Sequence, residues 1–491
     1  MVGGGITGLA AAHRLVERSR SAQFPCDLVL LEAAPRLGGV IRTARRDGFI
    51  LESGPDAFIT NKPWAVELIH TLGLGERLIE TSPTQRRTFV ARGGTLHALP
   101  EGFFLLAPTR FWPFLRSGLL SWRGKARTAL DIFLPRRRPR ADESLASFVR
   151  RRFGQEALTR LAQPMVGGIY AADPERLSLR ATMPQFLDME ARDRSVIRAL
   201  RRQQSNTASE SQADSGARYS LFVTLDDGLQ TLVDELSGRL PPGAVRLSCS
   251  VAGISRRETC WTVHLQEGAA LEADGIILSI PAFQAARVTR KLDAELAREL
   301  EAIPYASSVT VNLAYKRSEV PHPLDGFGFV VPACEGRSII ACSFSSVKFA
   351  RRAPAGYVLM RAFAGGALQP GPFEWDDHTL LAAIRRDLED LLGIRAAPSW
   401  SDVSRHPRSM PQYHVGHLTR VAALERRLER WPTLKLAGNA YRGIGIPDAI
   451  LSGQTAADAL LEDLGSAHAP KWAETVTRPP NHSCAERDSL L

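Results

Sequence analysis

Hydrophobic and polar positions follow two different periods along the chain, and the changes of period predict its elements. Near the N-terminus, "LAAAHRLVER" has apolar residues at helical spacing and "CDLVLLE" is a short β-rich run, which predicts a loop, a helix and a strand over residues 1–32. Helices are predicted over 64–74 and 376–392. Residues 100–200 are mostly helical in pattern, whereas 245–365 contains several strand-like runs.

Two polar stretches lack this periodicity. Residues 201–219 are low in apolar content, which predicts a surface loop. Residues 466–491 are polar and contain prolines, which predicts a flexible tail.

At 491 residues, the chain is too long for one ordinary core, so two or three domains are expected.

The first residues, "MVGGGITGLAAAHRL", contain a glycine loop of the dinucleotide-binding kind. Gly3, Gly5 and Gly8 satisfy G-x-G-x-x-G: the first permits a tight turn, the second lets the backbone approach a pyrophosphate, and the third allows close helix–strand packing. The following helix would offer its N-terminal N–H groups to the negative charge. Such a loop normally follows a buried strand of about five residues. Only Met1 and Val2 precede it, so we expect the protein's true start to lie upstream of Met1.

An acidic residue occupies the position that a dinucleotide site needs. Glu32 ends the predicted strand 24 residues after Gly8, and a carboxylate there accepts hydrogen bonds from ribose hydroxyls. A solvated carboxylate at a strand end is the alternative interpretation.

The stretch "EAAPRLGGVIRT" extends this pattern into a more specific one. It has the form E-x-x-x-R-x-G-G-x-x-x-T, formed by Glu32, Arg36, Gly38, Gly39 and Thr43. The paired glycines allow a second approach of the backbone to the dinucleotide, and the arginine supplies positive charge nearby. The combination resembles the second half of the binding motif of FAD-dependent, amine-oxidase-like flavoproteins, which plain NAD-binding domains lack.

A second glycine loop lies near the C-terminus. The stretch "LKLAGNAYRGIGIPDAILSG" predicts a strand that ends before Gly438, then a loop, then a helix. The helix N-terminus can present backbone N–H groups of Ile444, Gly445 and Ile446 to the flavin or its ribityl-phosphate. Asp448 is predicted to be the helix N-cap. A site built from both chain ends implies a discontinuous FAD domain.

Six stretches between residues 3 and 461 resemble one branch of this superfamily, the protoporphyrinogen and coproporphyrinogen oxidases. They are "GGGITGLAAA", "RLGGVIRT", "ESGPDAF", "LAQPMVGGIYAADPERLSLRATMP", "PQYHVGH" and "LAGNAYRGIGIPDAILSG". The segment "GGIYAADPERLSLR" is the most specific of them. The resemblance implies non-covalent FAD and a six-electron oxidation of a porphyrinogen to a porphyrin in haem biosynthesis. It also implies reoxidation by molecular oxygen, with hydrogen peroxide as by-product.

The motifs and the resemblance together predict the cofactor site. Val251 would act through its backbone at the adenine, and a plain strand residue is an equal alternative for it. The predicted FAD-binding residues are Gly3, Gly4, Gly5, Thr7, Gly8, Glu32, Ala33, Arg36, Gly38, Gly39, Val40, Gly54, Pro55, Asp56, Ala57, Val251, Gly438, Ile444, Gly445 and Ile446.

The predicted fold is α/β. A discontinuous Rossmann-like FAD-binding domain would hold an inserted mixed-sheet substrate domain and a helical domain that faces the membrane. The predicted boundaries are 1–85, 220–290 and 430–465 for the FAD-binding domain, 86–100 and 300–429 for the substrate domain, and 101–200 for the helical domain.

Porphyrinogen oxidation requires few protein groups, because flavin N5 accepts hydride and the macrocycle tautomerises. The chain contains no HExxH, GxSxG or CxxC motif, and we predict neither a catalytic side chain nor a metal. A cation should pair with a substrate propionate; the resemblance indicates Arg87, and a surface arginine is the alternative. Gly168 would allow close approach of the ring, whereas core packing is favoured for Phe329 and Phe344. No catalytic role is predicted for the histidines in strand or loop contexts, His97, His414 and His417.

Composition and charge set the surroundings of this site. The chain is 44% hydrophobic and 23% charged, with six cysteines that lack CxxC spacing, which is typical of a globular protein of the cytoplasm. Residues 110–152 contain twelve Arg or Lys against three Asp or Glu, interleaved with aromatic residues. This mixture favours peripheral contact with an anionic membrane surface at the inner face of the cell membrane. An ordinary basic helical face is the alternative.

Further expectations concern partners and rival functions. No nucleic-acid-binding pattern is present in the sequence, and a monomer or a homodimer is expected. The rival enzymes on the same scaffold are an amine oxidase and a carotenoid-type desaturase. A flavin-free binding protein of the same fold is the rival from another class.

Overall fold

The computed structural model describes residues 1–22, 26–85, 87–104, 107–136, 142–207, 222–258 and 260–468. Its strands are β1 (Leu30–Leu31), β2 (Thr43–Arg46), β3 (Phe49–Glu52), β4 (Phe58–Ile59), β5 (Leu78–Glu80), β6 (Thr88–Arg92), β7 (Thr95–Ala98), β8 (Phe103–Phe104), β9 (Ala107–Pro108), β10 (Phe222–Leu225), β11 (Val245–Arg246), β12 (Val251–Arg257), β13 (Cys260–Leu265), β14 (Ala270–Ala273), β15 (Ile276–Leu278), β16 (Tyr305–Lys316), β17 (Gly328–Val330), β18 (Ile339–Ser343), β19 (Tyr357–Gly365), β20 (Trp400–Pro411) and β21 (Leu434–Leu436). Its helices are α1 (Ile6–Ala22), α2 (Trp64–Thr71), α3 (Phe111–Arg116), α4 (Trp122–Ala129), α5 (Leu145–Phe153), α6 (Gln155–Ala157), α7 (Gln163–Tyr170), α8 (Leu179–Thr182), α9 (Pro184–Asp193), α10 (Val196–Thr207), α11 (Gln230–Gly238), α12 (Ala282–Thr289), α13 (Ala294–Glu301), α14 (Ser345–Lys348), α15 (Gly371–Glu374), α16 (Asp377–Leu392), α17 (His417–Leu428) and α18 (Ile446–His468).

A parallel sheet supports the N-terminal glycine loop. Strand β1 pairs with β11, and β15 pairs with β21, in both cases parallel. Val2 lies between the two pairs and forms parallel bridges to Leu31 and Leu278. Its N–H donates to the Ile277 carbonyl at 2.9 Å, and its carbonyl accepts from the Ser279 N–H at 2.8 Å. The strand before the glycine loop is therefore a single residue, hydrogen-bonded on both sides at the centre of the sheet.

Helices from both ends of the chain pack together on this sheet. Helices α1 and α18 cross so closely that a Cβ added to Gly453 would lie 2.2 Å from the Thr7 carbonyl oxygen. Leu9, Ile450 and Ala457 are fully buried in the cluster between them. The discontinuous Rossmann-like domain predicted from the sequence is thus confirmed as a fold, because the two chain ends share one core.

A seven-stranded mixed sheet forms the second layer of the molecule. Its order is β20-β16-β19-β18-β17-β6-β7, antiparallel throughout except where β17 lies parallel to β6. Helix α16 covers one face, where Leu380, Ile384 and Leu388 are fully buried against Val311 and Met360. Because side chains alternate along a strand, the residues between these core positions point to the opposite face, where Thr310 and Asn312 contact the backbone of Ser53 and Glu52, in the part of the chain that is predicted to bind FAD.

Helices α3 to α10 form a third region, with a core of its own that includes Phe148, Phe153 and Phe186. The predicted mixed-sheet and helical parts are therefore both confirmed, while the residue boundaries of the domains stay a prediction. The predicted loop over 201–219 is wrong at its start, because α10, whose first residues Val196, Ile197 and Leu200 pack in this core, continues to Thr207. Residues 208–219 lie outside the described residues.

The predicted tail is likewise wrong at its start, because the packed helix α18 continues to His468; 469–491 lie outside the described residues. Searched over the part of the chain that the structure describes, no helix is long and apolar enough to cross a membrane.

Candidate functional site

The N-terminal glycine loop has two kinds of glycine. Gly3 has φ +104°, and a Cβ on Gly8 would lie 2.0 Å from the Gly3 carbonyl oxygen, so the turn packs directly on α1. A Cβ on Gly4 would lie 2.5 Å from Leu37. A Cβ on Gly5, in contrast, would meet no atom within 4 Å. Gly5 therefore faces open space beside the N-terminus of α1, which suits the close approach of a pyrophosphate.

Glu32 lies beside this loop, directly after β1. Its carboxylate accepts the Gly4 N–H at 2.6 Å and the Ala34 N–H at 2.8 Å. Each carboxylate oxygen retains a further lone pair that can accept a hydroxyl. The Glu32 carbonyl accepts the Cys249 N–H at 2.8 Å, which brings the start of β12, and with it Val251, to the same end of the loop.

The second pair of glycines packs against the first. The Gly38 N–H donates to the Gly4 carbonyl at 2.8 Å, and a Cβ on Gly39 would lie 3.4 Å from the Gly5 Cα. Gly38 and Gly39 have φ of +100° and +59°, the left-handed region that glycine adopts readily. Arg36 spans this turn and donates to the carbonyls of Leu37, Gly39 and Ile41 at 2.5–3.0 Å.

The segment from Gly54 to Ala57 closes the other side of this space. A Cβ on Gly54 would lie 1.8 Å from the Val40 carbonyl oxygen, so the two backbones touch. The Gly54 carbonyl accepts a hydrogen bond from Arg361 of β19. The preceding Ser53 carbonyl accepts one from Thr310 of β16 at 2.6 Å. This segment therefore joins the glycine-rich part of the chain to the inner face of the seven-stranded sheet.

A buried ion pair holds Asp56 in the same segment. Its carboxylate lies 3.2 Å from Lys348 Nζ and 3.9 Å from the Arg361 guanidinium. Burial by itself raises the pKa of Asp56, but Lys348 and Arg361 outweigh it and hold the pKa below its usual value. Asp56 is therefore ionised at neutral pH, and it anchors the segment through charge.

The C-terminal loop leads into α18. The Gly438 N–H donates to Ser452 Oγ at 2.9 Å, and a Cβ on Gly438 would come within 4.0 Å only of Thr7 Oγ1. Gly443 has φ +91°, and a Cβ there would lie 2.3 Å from Asp448 Cγ. The loop therefore approaches the N-terminus of α1 near Thr7.

Asp448 is not the helix N-cap that the sequence predicts. Helix α18 begins at Ile446, so Asp448 is its third residue, and its carboxylate accepts the Gly445 N–H at 3.3 Å. Lys62 Nζ lies 2.6 and 2.8 Å from the two carboxylate oxygens. The N-cap prediction is wrong because the helix begins two residues earlier, and the ion pair with Lys62, 386 residues away in sequence, has no local signal.

The two predicted substrate-binding residues, Gly168 and Arg87, lie in different surroundings. Gly168 is exposed inside α7, where a Cβ would lie 3.7 Å from Val330 of β17; Val330 and Ile444 both pack on the core of the helical region. Gly168 and the C-terminal loop thus border the same apolar wall. Arg87 precedes β6, its side chain is 67% exposed, and it donates to Asp325 at 2.9 Å.

The inner face of the seven-stranded sheet is the part of the site that sequence reasoning missed. Thr310 lies opposite Phe363, and Asn312 lies opposite Arg361, in the registered pairing of β16 with β19. Phe329 and Phe344 are buried in the core on the other face, as the sequence favoured. The two-residue period of each strand was visible in the sequence, but it does not indicate which face lies toward a cofactor.

The histidines show no acid–base arrangement. His97 Nε2 lies 3.0 Å from Thr95 Oγ1, and burial lowers the pKa of His414. His417 lies at the start of α17, not in a strand or loop, and burial lowers its pKa to about 4. Within the described ranges, no group of three or more His, Cys, Asp or Glu residues is placed to hold a metal ion.

Known proteins resemble this chain over most of its length. Residues 6–461 match the family described as flavin containing amine oxidoreductase. The chain is 36% identical to the coproporphyrinogen III oxidase of Bacillus subtilis, over 94% of this chain and 97% of that protein. It is 32% identical to the protoporphyrinogen oxidase of Homo sapiens, over 94% and 98%. A crystal structure from Exiguobacterium sp. 255-15, assigned as a protoporphyrinogen oxidase, superimposes with a TM-score of 0.83 at 32% identity, over 94% and 98%.

Proposed function

This chain belongs to the flavin-containing amine oxidoreductases, in the branch of the protoporphyrinogen and coproporphyrinogen oxidases, and we propose that it oxidises a porphyrinogen to a porphyrin. Its cofactor is FAD, as predicted, and it is an oxidoreductase. The observation that carries the substrate is the 36% identity to a coproporphyrinogen III oxidase across 94% of the chain. Protoporphyrinogen and coproporphyrinogen are both proposed substrates.

We propose that the three glycine-rich segments form the FAD site. The open space at Gly5 beside the N-terminus of α1 suits the pyrophosphate, and the Glu32 carboxylate suits the ribose hydroxyls. The N-terminus of α18 would offer backbone N–H groups to the flavin ring. We propose that the other predicted FAD-binding residues surround the cofactor between these three positions. The adenine would lie near Val251.

When bound, FAD supplies hydride acceptance at N5 and electron transfer to molecular oxygen. Six electrons leave the substrate in total, as three pairs that reduce three oxygen molecules to hydrogen peroxide. We propose that the protein contributes an apolar surface for the macrocycle that includes Gly168, Val330 and Ile444. We assign no general-base role to His417 or Asp56, because His417 is buried with Nε2 against the Tyr441 carbonyl and Asp56 is bound to two cations.

Arg87 is proposed as the partner of a substrate propionate. Its guanidinium is exposed and already oriented by Asp325, so a propionate could share its free N–H groups without burying an unpaired charge. Arg87→Met should therefore raise KM with little change in kcat, while Arg92→Met, at the far end of β6, should change neither. An unchanged KM in Arg87→Met would remove Arg87 from the substrate site.

Oxygen-dependent porphyrin formation tests the proposed function. Purified protein should be yellow, with flavin absorbance near ~450 nm, and should release porphyrin fluorescence and hydrogen peroxide from protoporphyrinogen or coproporphyrinogen. The same reaction under nitrogen is the control. A flavin-loaded protein that forms no porphyrin from either substrate, but oxidises primary amines, would favour the amine oxidase. A colourless protein that binds porphyrins would favour the flavin-free binding protein.

We also propose that the helical region contacts an anionic membrane surface. Residues 111–133 expose large apolar side chains, and Phe111 lines the same groove as Ala129, so α3 and the end of α4 are neighbours. The exposed fractions are 47% for Phe111, 72% for Trp112, 72% for Trp122, 48% for Leu130 and 79% for Phe133. Arg116 and Arg123 lie among them, and basic residues beside aromatic rings suit acidic headgroups.

Co-sedimentation with vesicles tests the membrane contact. The protein should bind vesicles that contain an acidic phospholipid, less so at high salt, and not neutral vesicles. Replacing Trp112 and Trp122 with serine should abolish binding. Leu247→Ser, which removes a 43% exposed residue elsewhere, should not. Equal binding by all variants would contradict the proposal.

The oligomeric state is a separate question. We propose a monomer or a homodimer, and light scattering in solution distinguishes the two.

A further inference from the structure

One buried pair of aromatic residues has no part in the site described so far. Tyr413 and His417 belong to the segment "PQYHVGH", one of the six stretches that resemble the family. No function has yet been assigned to this segment. The two rings stack with centroids 4.0 Å apart and planes within 11°. Their exposed fractions are 2% and 1%. Both polar groups point to the loop from Gly438 to Gly445, which we call the flavin loop.

Tyr413 fastens the start of the flavin loop. Its hydroxyl donates to the Asn439 carbonyl at 2.6 Å. Burial raises the pKa of Tyr413, so the hydroxyl keeps its proton at neutral pH and can donate. One hydrogen bond therefore ties a buried side chain to the backbone of the loop.

His417 fastens a second point of the flavin loop, two residues further along. Its Nε2 lies 2.9 Å from the Tyr441 carbonyl oxygen. Since burial lowers the pKa of His417 to about 4, the ring is neutral and carries one proton. The carbonyl can only accept, so that proton is assigned to Nε2. The stacked Tyr413 ring fixes the orientation of the imidazole.

The segment that carries the pair is itself held firmly. The Tyr413 carbonyl accepts the Ser178 N–H at 2.7 Å, and the Gly416 N–H donates to Asp142 at 3.0 Å. Gln412 Nε2 donates to the Tyr170 carbonyl, at the end of α7, at 3.1 Å. The helical region thus supplies a rigid support for a loop of the FAD-binding part, from the same helix that carries Gly168.

We propose that Tyr413 and His417 are positioning residues that set the flavin loop, and with it the N-terminus of α18, against the flavin ring. This inference rests on the proposed FAD site. Backbone N–H groups at a helix N-terminus stabilise negative charge, and reduction of the flavin adds electron density to its ring. Loosening the loop should therefore weaken FAD binding and lower the flavin midpoint potential together.

Four variants of the FAD-loaded enzyme test the proposal. Tyr413→Phe keeps the stacked ring and removes the hydroxyl; loss of one neutral hydrogen bond should weaken FAD retention roughly 2- to 12-fold. His417→Leu removes the donor and leaves a buried carbonyl unpaired, so its loss should be at least as large. His417→Gln can restore an N–H donor and should recover most of the affinity. Tyr315→Phe, at a buried tyrosine in the core of the seven-stranded sheet, is the matched control and should match the wild type.

The measurements are FAD release on dilution, followed by flavin fluorescence, and the midpoint potential by dye equilibration. Weaker retention and a lower potential in Tyr413→Phe and His417→Leu, with recovery in His417→Gln, support the proposal. Wild-type retention and potential in both variants overturn it, as does a lower melting temperature with an unchanged potential, which indicates support of the fold alone. A wild-type protein that binds no FAD refutes the proposed function instead.

Discussion

Glu32 links the structure of the glycine loop to cofactor binding, and replacing it separates the two. Its carboxylate accepts the Gly4 N–H at 2.6 Å and the Ala34 N–H at 2.8 Å. A hydrogen bond to a charged group contributes about 1.5–3 kcal/mol. The side chain is half-buried, so water can replace part of the loss in a Glu32→Ala variant. We therefore expect the FAD-free protein to lose about 1–3 kcal/mol of its free energy of unfolding.

The cofactor would lose a further interaction in Glu32→Ala. If the same carboxylate accepts the ribose hydroxyls, its removal costs about another 1.5–3 kcal/mol of binding, which is roughly a 10- to 150-fold rise in the Kd for FAD. Urea unfolding of the FAD-free protein measures the first quantity, and titration with FAD measures the second. Glu67→Ala, at an exposed glutamate of α2, is the control.

The two measurements test separately whether Glu32 stabilises the glycine loop and whether it binds FAD. An unchanged Kd for FAD would remove Glu32 from the cofactor site, whatever happens to stability. An unchanged free energy of unfolding would show that water replaces the two backbone hydrogen bonds fully. Glu32→Gln, with one carbonyl oxygen in place of two carboxylate oxygens, should lie between the wild type and Glu32→Ala in both measurements.

Three further predictions concern other parts of the molecule. Gly5→Ala should leave the stability of the FAD-free protein unchanged and abolish FAD binding. Gly8→Ala should destabilise the protein itself, because its Cβ would lie 2.0 Å from a backbone oxygen. Urea unfolding of the FAD-free protein distinguishes the two variants. Arg152→Met should lower the free energy of unfolding by about 3–5 kcal/mol, because it leaves the fully buried Asp131 without its ion pair at 2.5 Å. A smaller loss in Arg152→Met than in Arg290→Met, which removes an exposed ion pair, would contradict this prediction. Burial raises the pKa of Glu52 from 4.5 to about 7, so the folded state binds more protons than the unfolded state in this window, and stability should fall as pH rises through it by up to about 1.4 kcal/mol per pH unit. Glu52→Gln should flatten that dependence, and an equal slope in both proteins would refute the assignment.

The local patterns of the sequence predicted much of the fold and the kind of site. The glycine spacing, the helical periods of α1 and α16, and the strand-like runs of β16 and β19 depend on residues close together in the chain, and each formed where it was predicted. The resemblance carried by the motifs also led to the confirmed family and cofactor. The FAD-binding and substrate-binding residues themselves stay predictions that the variants above test.

Contacts between distant segments decided the rest. Val2 serves as a strand only because Leu31 and Leu278 flank it, and no local pattern makes a single residue into a strand. Asp448 binds Lys62, so its role depends on a partner 386 residues away.

The sequence alone determined that this chain has a dinucleotide loop, two periods of secondary structure and the motifs of a flavoprotein. Only the tertiary structure decided which face of the large sheet meets the FAD-binding part, and that Tyr413 and His417 hold the flavin loop. The physical reason is that periodicity and glycine spacing act through neighbours in the chain. A hydrogen bond such as that between Tyr413 and Asn439 forms only after packing brings its two partners together.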